Sequence, residues 1–283
     1  MSRAYSGVGH CRQSTRYMRE LLRTVFLGSR TMAVLTTYMD ESGTHDGALV
    51  CVVGGFVASP SQWRKFTGKW CKALKDEELP YLHVADYLAS RDDFEFTKDW
   101  PHHRKTMSLY RLAGVVRNHA RALVATSVLL SEFENAVSKT DGGRKYFPTP
   151  YSYCHFWSVL SISLWAQEQE SRGPVSVLFE RGPKKGGEIA GKFYAAIQKP
   201  MNQKKWKLGI VGTETSDNVV AFQACDLVSH KLYSRLGIMS QGKPLPNDKA
   251  VEPLGQMKMI GAAHSEANIA KAIALYKKHI ESE

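Results

Sequence analysis

The chain has 283 residues, 43% of them hydrophobic and 23% charged, enough to bury a sizeable core in one large α/β domain or two small ones. No apolar run approaches the roughly 18 residues that cross a bilayer; the longest spans residues 48–58 and holds two glycines, so no membrane partner is expected. The formal charge of +11 points to an anionic partner, with nucleic acid the first class to consider.

That charge is unevenly spread. Residues 1–31 hold six arginines against one glutamate and lack a clear periodic pattern, so they read as a poorly ordered N-terminal extension. An over-extended start and a phosphate-touching arm both account for it. The rest, residues 32–283, shows no repeat, low-complexity tract or linker and reads as a single domain with helical insertions. Five widely spaced cysteines without a CxxC pair argue against a disulfide framework or zinc ribbon and for the cytoplasm.

The first convincing strand is Met32–Tyr38, running into Asp40, Glu41, Ser42 and Gly43. Residues 48–58 form a second apolar strand, hairpin-paired with the first, whose Gly54-Gly55 implies a bulge or a close backbone approach. Ser59-Pro60 is an N-cap and first-turn proline for a helix to about Glu77, with Trp63, Phe66, Trp70 and Leu74 on one face. An irregular stretch follows, in which His83 and Asp86 stand three residues apart. Beyond it come a helix over 101–119, a strand over 121–130, a short helix over 131–139 and a turn-rich connection over 140–150. Residues 153–169 read as a helix with a core-type aromatic stripe, and Val175–Phe179 as a fourth strand ending at Glu180. Residues 181–207 carry eight Lys or Arg, among them Lys184, Lys185, Lys204 and Lys205, with Phe193, Tyr194 and Trp206 interleaved. Such a segment is either a solvated face or a surface for phosphates and stacked bases. A fifth strand (207–213) leads through Ser216-Asp217, an expected N-cap, into a helix over 218–236 bearing Gln223 and Asp226 on one face. A loop over 237–255 and an amphipathic helix over 262–280 close the chain.

Three acidic stations share a logic: Asp40-Glu41 after the first strand, Glu180 after the fourth, and Asp226 amid apolar neighbours on a late helix. Carboxylates gathered from strand ends and a helix repel one another unless a cation lies between them, and an all-oxygen donor set favours Mg²⁺ or Mn²⁺. Ions so held serve phosphoryl transfer, with Asp40, Glu180 and Asp226 as ligands and Glu41 and Gln223 assisting. GxSxG, HExxH, P-loop and dinucleotide motifs are all missing from the sequence.

The pairing of Tyr38-Met39-Asp40-Glu41-Ser42-Gly43 with Gln223-Ala224-Cys225-Asp226-Leu227 resembles the bacterial and archaeal domain-of-unknown-function family 3800. That family is marked by an N-terminal Asp-Glu motif and a C-terminal Gln-x-x-Asp motif. The resemblance spans about residues 33–236 and implies a ribonuclease H-like α/β fold. In such a fold a five-stranded mixed sheet flanked by helices carries metal-binding acids on its first strand, fourth strand and a late helix. It also implies a nuclease, and lends His83 and Asp86 a substrate or metal role. In a nuclease the basic segment, with Lys184, Lys185, Lys204 and Lys205, would hold the substrate backbone. The rival readings are a non-catalytic nucleic-acid-binding module and an interaction protein of a defence or mobile-element system, with partners from neighbouring genes.

Overall fold

A computed structural model of the chain describes residues 35–169, 173–181 and 206–281. The 1–31 extension, most of the basic 181–207 segment and all four of its named lysines lie outside the described residues. The architecture is α/β: a mixed seven-stranded sheet with helices on both faces.

Strand β1 (Leu35–Ser42) pairs antiparallel with β2 (Val50–Ala58), which pairs antiparallel with β3 (Ala122–Leu129). On the other side of β1, β4 (Val175–Glu180) runs parallel to it and β5 (Leu208–Glu214) parallel to β4. Two two-residue strands, β6 (Met259–Ile260) and β7 (Ala263–His264), add to β3. The order is therefore β5-β4-β1-β2-β3 followed by these additions, and the expected five strands become seven. Nothing in so short an apolar stretch as 259–264 separates an edge strand from a loop.

One face of the sheet is covered by α1 (Pro60–Asp76), α3 (His102–His119) and α7 (Ala221–Ser240). The other carries α6 (Pro150–Glu168) and α8 (Glu266–Glu281), with α4 (Leu130–Lys139) and the one-turn α5 (Gly143–Tyr146) beside them. A short α2 (Val84–Ala89) links α1 toward α3. Ser59 caps α1 with a reciprocal Gln62 capping box, as its sequence implies. Thr149 does the same for α6, which starts three residues earlier than its aromatic stripe suggests. The 237–255 stretch contains a 3₁₀ segment, Lys249–Gln256, rather than loop throughout. Cys51, Cys154 and Cys225 are buried thiols.

Two features of the sheet place the site. First, β1 does not stop before its acids: Asp40 pairs with Gly54 and Glu41 with Val53. Backbone pairing outweighs the low strand propensity of two carboxylates, because the β2 partner runs on past them. Second, Gly54 lies under α7, where an added Cβ would stand 2.7 Å from Ser229 Oγ. The missing side chain lets Ser229 donate to the Asp40 carbonyl at 2.9 Å and Cys225 Sγ to the Tyr38 carbonyl at 3.1 Å. So Gly54-Gly55 marks a close approach and not a bulge; the β1–β2 register is unbroken.

Candidate functional site

Successive residues of a strand face opposite sides of the sheet. Tyr38 belongs to the core under α7 and Met39 to the core under α6, so Asp40 follows Tyr38 and Glu41 follows Met39. On β4, Leu178 shares the α7 side and Phe179 the α6 side, which puts Glu180 on the side of Asp40. Met39 and Phe179 are register partners in the parallel β1–β4 pair, so Asp40 and Glu180 are neighbours one step further on. Asp226 descends onto them from α7. The adjacent acids of the Asp-Glu motif are thus divided by the pleat, and Glu41 reaches the site around the strand end, accepting from Tyr151 Oη of α6 at 3.3 Å.

These groups open on a cleft of about 500 Å³ lined by six carboxylates, Asp40, Glu41, Asp93, Glu180, Asp217 and Asp226, against Arg181 and His83. Asp40 is 9% exposed, and its carboxyl is pushed well above the ordinary range by burial, then by the charges of Glu180, Glu41 and Asp226. Burial and Glu180 raise Glu41 to about 7. Burial raises Glu180, against a hydrogen bond from Ser216 and the charge of His83. Asp226 rises to about 6, through burial and against the Val84 N–H bond and His83. Among the described residues none of the four is in an ion pair with a Lys or Arg. The donor set is therefore all-oxygen, mutually repelling and short of a counter-charge, which fits a hard divalent cation. No group of three or more His, Cys, Asp or Glu side chains among the described residues is placed to hold a metal ion.

Two residues of the Gln-x-x-Asp motif do structural work as well. Gln223 Oε1 accepts from Trp70 Nε1 of α1 and from the Leu82 N–H, each at 3.0 Å. Asp226 Oδ2 accepts from the Val84 N–H at 2.6 Å, capping α2 from another helix. Gln223 therefore has its oxygen spent on the protein, and only its amide nitrogen is left for the cleft. The helix start expected at Ser216-Asp217 lies instead at Ala221: residues 215–218 form a turn in which Thr215 N–H and Asn218 Nδ2 donate to Glu214 Oε1. That turn delivers Ser216 to Glu180 and Asp217 to the cleft wall. His83 lines the cleft, its Nδ1 2.5 Å from Asp86 Oδ2, and Arg91 donates to Asp86 Oδ1 at 3.0 Å. Tyr151, Ser216 and Arg181 carried no local sequence signal as site residues; each arrives by tertiary contact or strand order.

No helix among the described residues is long and apolar enough to cross a membrane. No protein-family model matches the chain, and no curated protein matches it.

Proposed function

We propose that the chain is a divalent-metal-dependent nuclease of ribonuclease H-like fold, hydrolysing the phosphodiesters of RNA or DNA. The observation that carries this is the meeting of Asp40, Glu180 and Asp226, from two adjacent parallel strand ends and the helix laid over them, with raised proton affinities and no Lys or Arg partner among the described residues. First strand, fourth strand and late helix are the stations that the resemblance to family 3800 implies. Asp40, Glu180 and Asp226 would hold Mg²⁺ or Mn²⁺, which when bound supplies activation of water and neutralisation of phosphate charge. A cleft of six carboxylates repels a phosphodiester until cations reverse its sign, so substrate and metal are taken up together. Glu41, raised to about 7, accepts or returns a proton near neutrality. Arg181, in the cleft wall, draws the substrate backbone; a backbone-holding role for Lys184, Lys185, Lys204 and Lys205 rests on their sequence alone, since they lie outside the described residues.

The test is cleavage of end-labelled RNA and DNA, single- and double-stranded, with Mg²⁺, Mn²⁺ or EDTA. Wild type should cut only with metal, and Asp40→Asn should lose at least about a hundredfold, more than is lost when a residue that merely orients a ligand is changed. Equal inertness of wild type and variant on every substrate would sink the reading.

A further inference from the structure

From the geometry at the cleft rim we infer that His83 is the proton donor to the leaving oxygen, set in place by Asp86 and Arg91. This rests on the nuclease reading and names a residue role within it.

The peptide around His83 is held on both sides. Leu82 N–H is bonded to Gln223 and Val84 N–H to Asp226. His83 occupies the N-cap position of α2 and makes no side-chain cap there. Its ring meets Asp86 instead, with Oδ2 2.5 Å from Nδ1. Asp86 is 19% exposed and has its second oxygen on Arg91 at 3.0 Å, so both carboxylate oxygens are committed. A carboxylate at Nδ1 settles the tautomer: Nδ1 donates, and Nε2 is the nitrogen that takes up or gives a proton. The ring itself is half exposed, at 51%, and lines the carboxylate cleft. Asp226 and His230 of α7 and Glu180 of β4 also face it. This is a base-and-orienter pair beside a phosphodiester site, the arrangement a proton relay requires.

The step balances as follows. A water oxygen forms the new bond to phosphorus and gives its proton to a cleft carboxylate and on to solvent. The bond from phosphorus to the leaving oxygen breaks, its electron pair goes to that oxygen, and the oxygen takes the proton from Nε2. The neutral imidazole is reprotonated from solvent, and the net change is one water consumed per diester cleaved to a phosphate monoester and an alcohol.

A leaving sulfur needs no such proton, which isolates the role. The full chain, with Mn²⁺, is assayed on an oligonucleotide the wild type cuts and on the same oligonucleotide with bridging 3′-sulfur or 5′-sulfur linkages. His83→Ala should lose on the order of 10²–10⁴ in rate on the oxygen substrate, the scale of general acid catalysis. On the sulfur substrate whose leaving atom matches, the loss should shrink to less than about tenfold. Asp86→Asn should show the same split with a smaller loss. Turnover of the sulfur substrate also certifies that each variant is folded. Equal losses on oxygen and sulfur, or no loss on either, would overturn the donor role while leaving the nuclease standing. A wild type inert on the oxygen substrates would overturn both.

Discussion

Replacing Glu41 by Gln should stabilise the metal-free protein, by an amount that depends on pH. Glu41 ordinarily titrates at 4.5 and in the fold is raised to about 7, by burial and by Glu180. The folded state thus binds the proton more tightly than the unfolded chain, so stability falls as pH rises from 4.5 to 7 and is level on either side of that window. Each pH unit in the window is worth about 1.4 kcal/mol, which makes about 3 kcal/mol in all. Glutamine is uncharged throughout and keeps an oxygen to accept from Tyr151. The variant should therefore match wild type near pH 4 and exceed it by about 3 kcal/mol at pH 8. The comparison must be made as a difference. His155 and His230, lowered by burial to about 3 and about 4, add stability as pH rises to their unfolded value, opposite in sign to the carboxylates. They are common to both proteins and cancel. The assay is urea unfolding in EDTA across pH 4–8, repeated with Mg²⁺, which should cut the variant's advantage because it offsets the repulsion on Glu41. A difference flat with pH, or a variant less stable at pH 8, would show that Glu41 is not held against Glu180 in a buried site.

Gln223→Ala removes the acceptor of two buried donors, Trp70 Nε1 and Leu82 N–H. At about 1–3 kcal/mol for each donor left unpaired, the urea midpoint should drop steeply at unchanged slope; a loss under about 0.5 kcal/mol would refute the clamp. Two glycines should part company. A Cβ on Gly55 would stand 1.9 Å from the Tyr38 carbonyl oxygen, whereas Gly68, inside α1, has nothing within 4 Å. Gly55→Ala should abolish soluble folded protein, and Gly68→Ala should raise stability by up to about 1 kcal/mol, both read by thermal unfolding.

Much of the fold is legible because its signals are local. The apolar runs of β1 to β5, the Ser59-Pro60 cap and the stripe of Trp63, Phe66 and Trp70 each declare an element within a few residues. Where reading by stretches fails, a distant partner decides. Asp40 and Glu41 look like a turn after a strand, and become strand because β2 continues beside them. Ser216-Asp217 has the composition of a cap, but Glu214 takes the turn's donors and the helix begins later. The one-turn α5, the 3₁₀ segment and the two-residue strands are too short for any period to register.

The site shows the same division. A two-residue period implies that Asp40 and Glu41 part to opposite faces, yet which face meets Asp226 depends on the strand order, and no stretch of sequence encodes that locally. A helical period puts Gln223 and Asp226 on one side of α7 without saying what that side meets. What it meets is the chain at Leu82 and Val84. The motif is therefore both a lock and a participant: Gln223 gives its oxygen to architecture, while Asp226 spends one oxygen on Val84 and still adds its charge to Asp40 and Glu180. Because the same two residues tie down the peptide that carries His83, the carboxylates and the His83–Asp86 pair are positioned by one helix. Loss of either anchor would disturb both halves of the site together. A reading of the motif as metal ligands alone misses why a glutamine belongs in it.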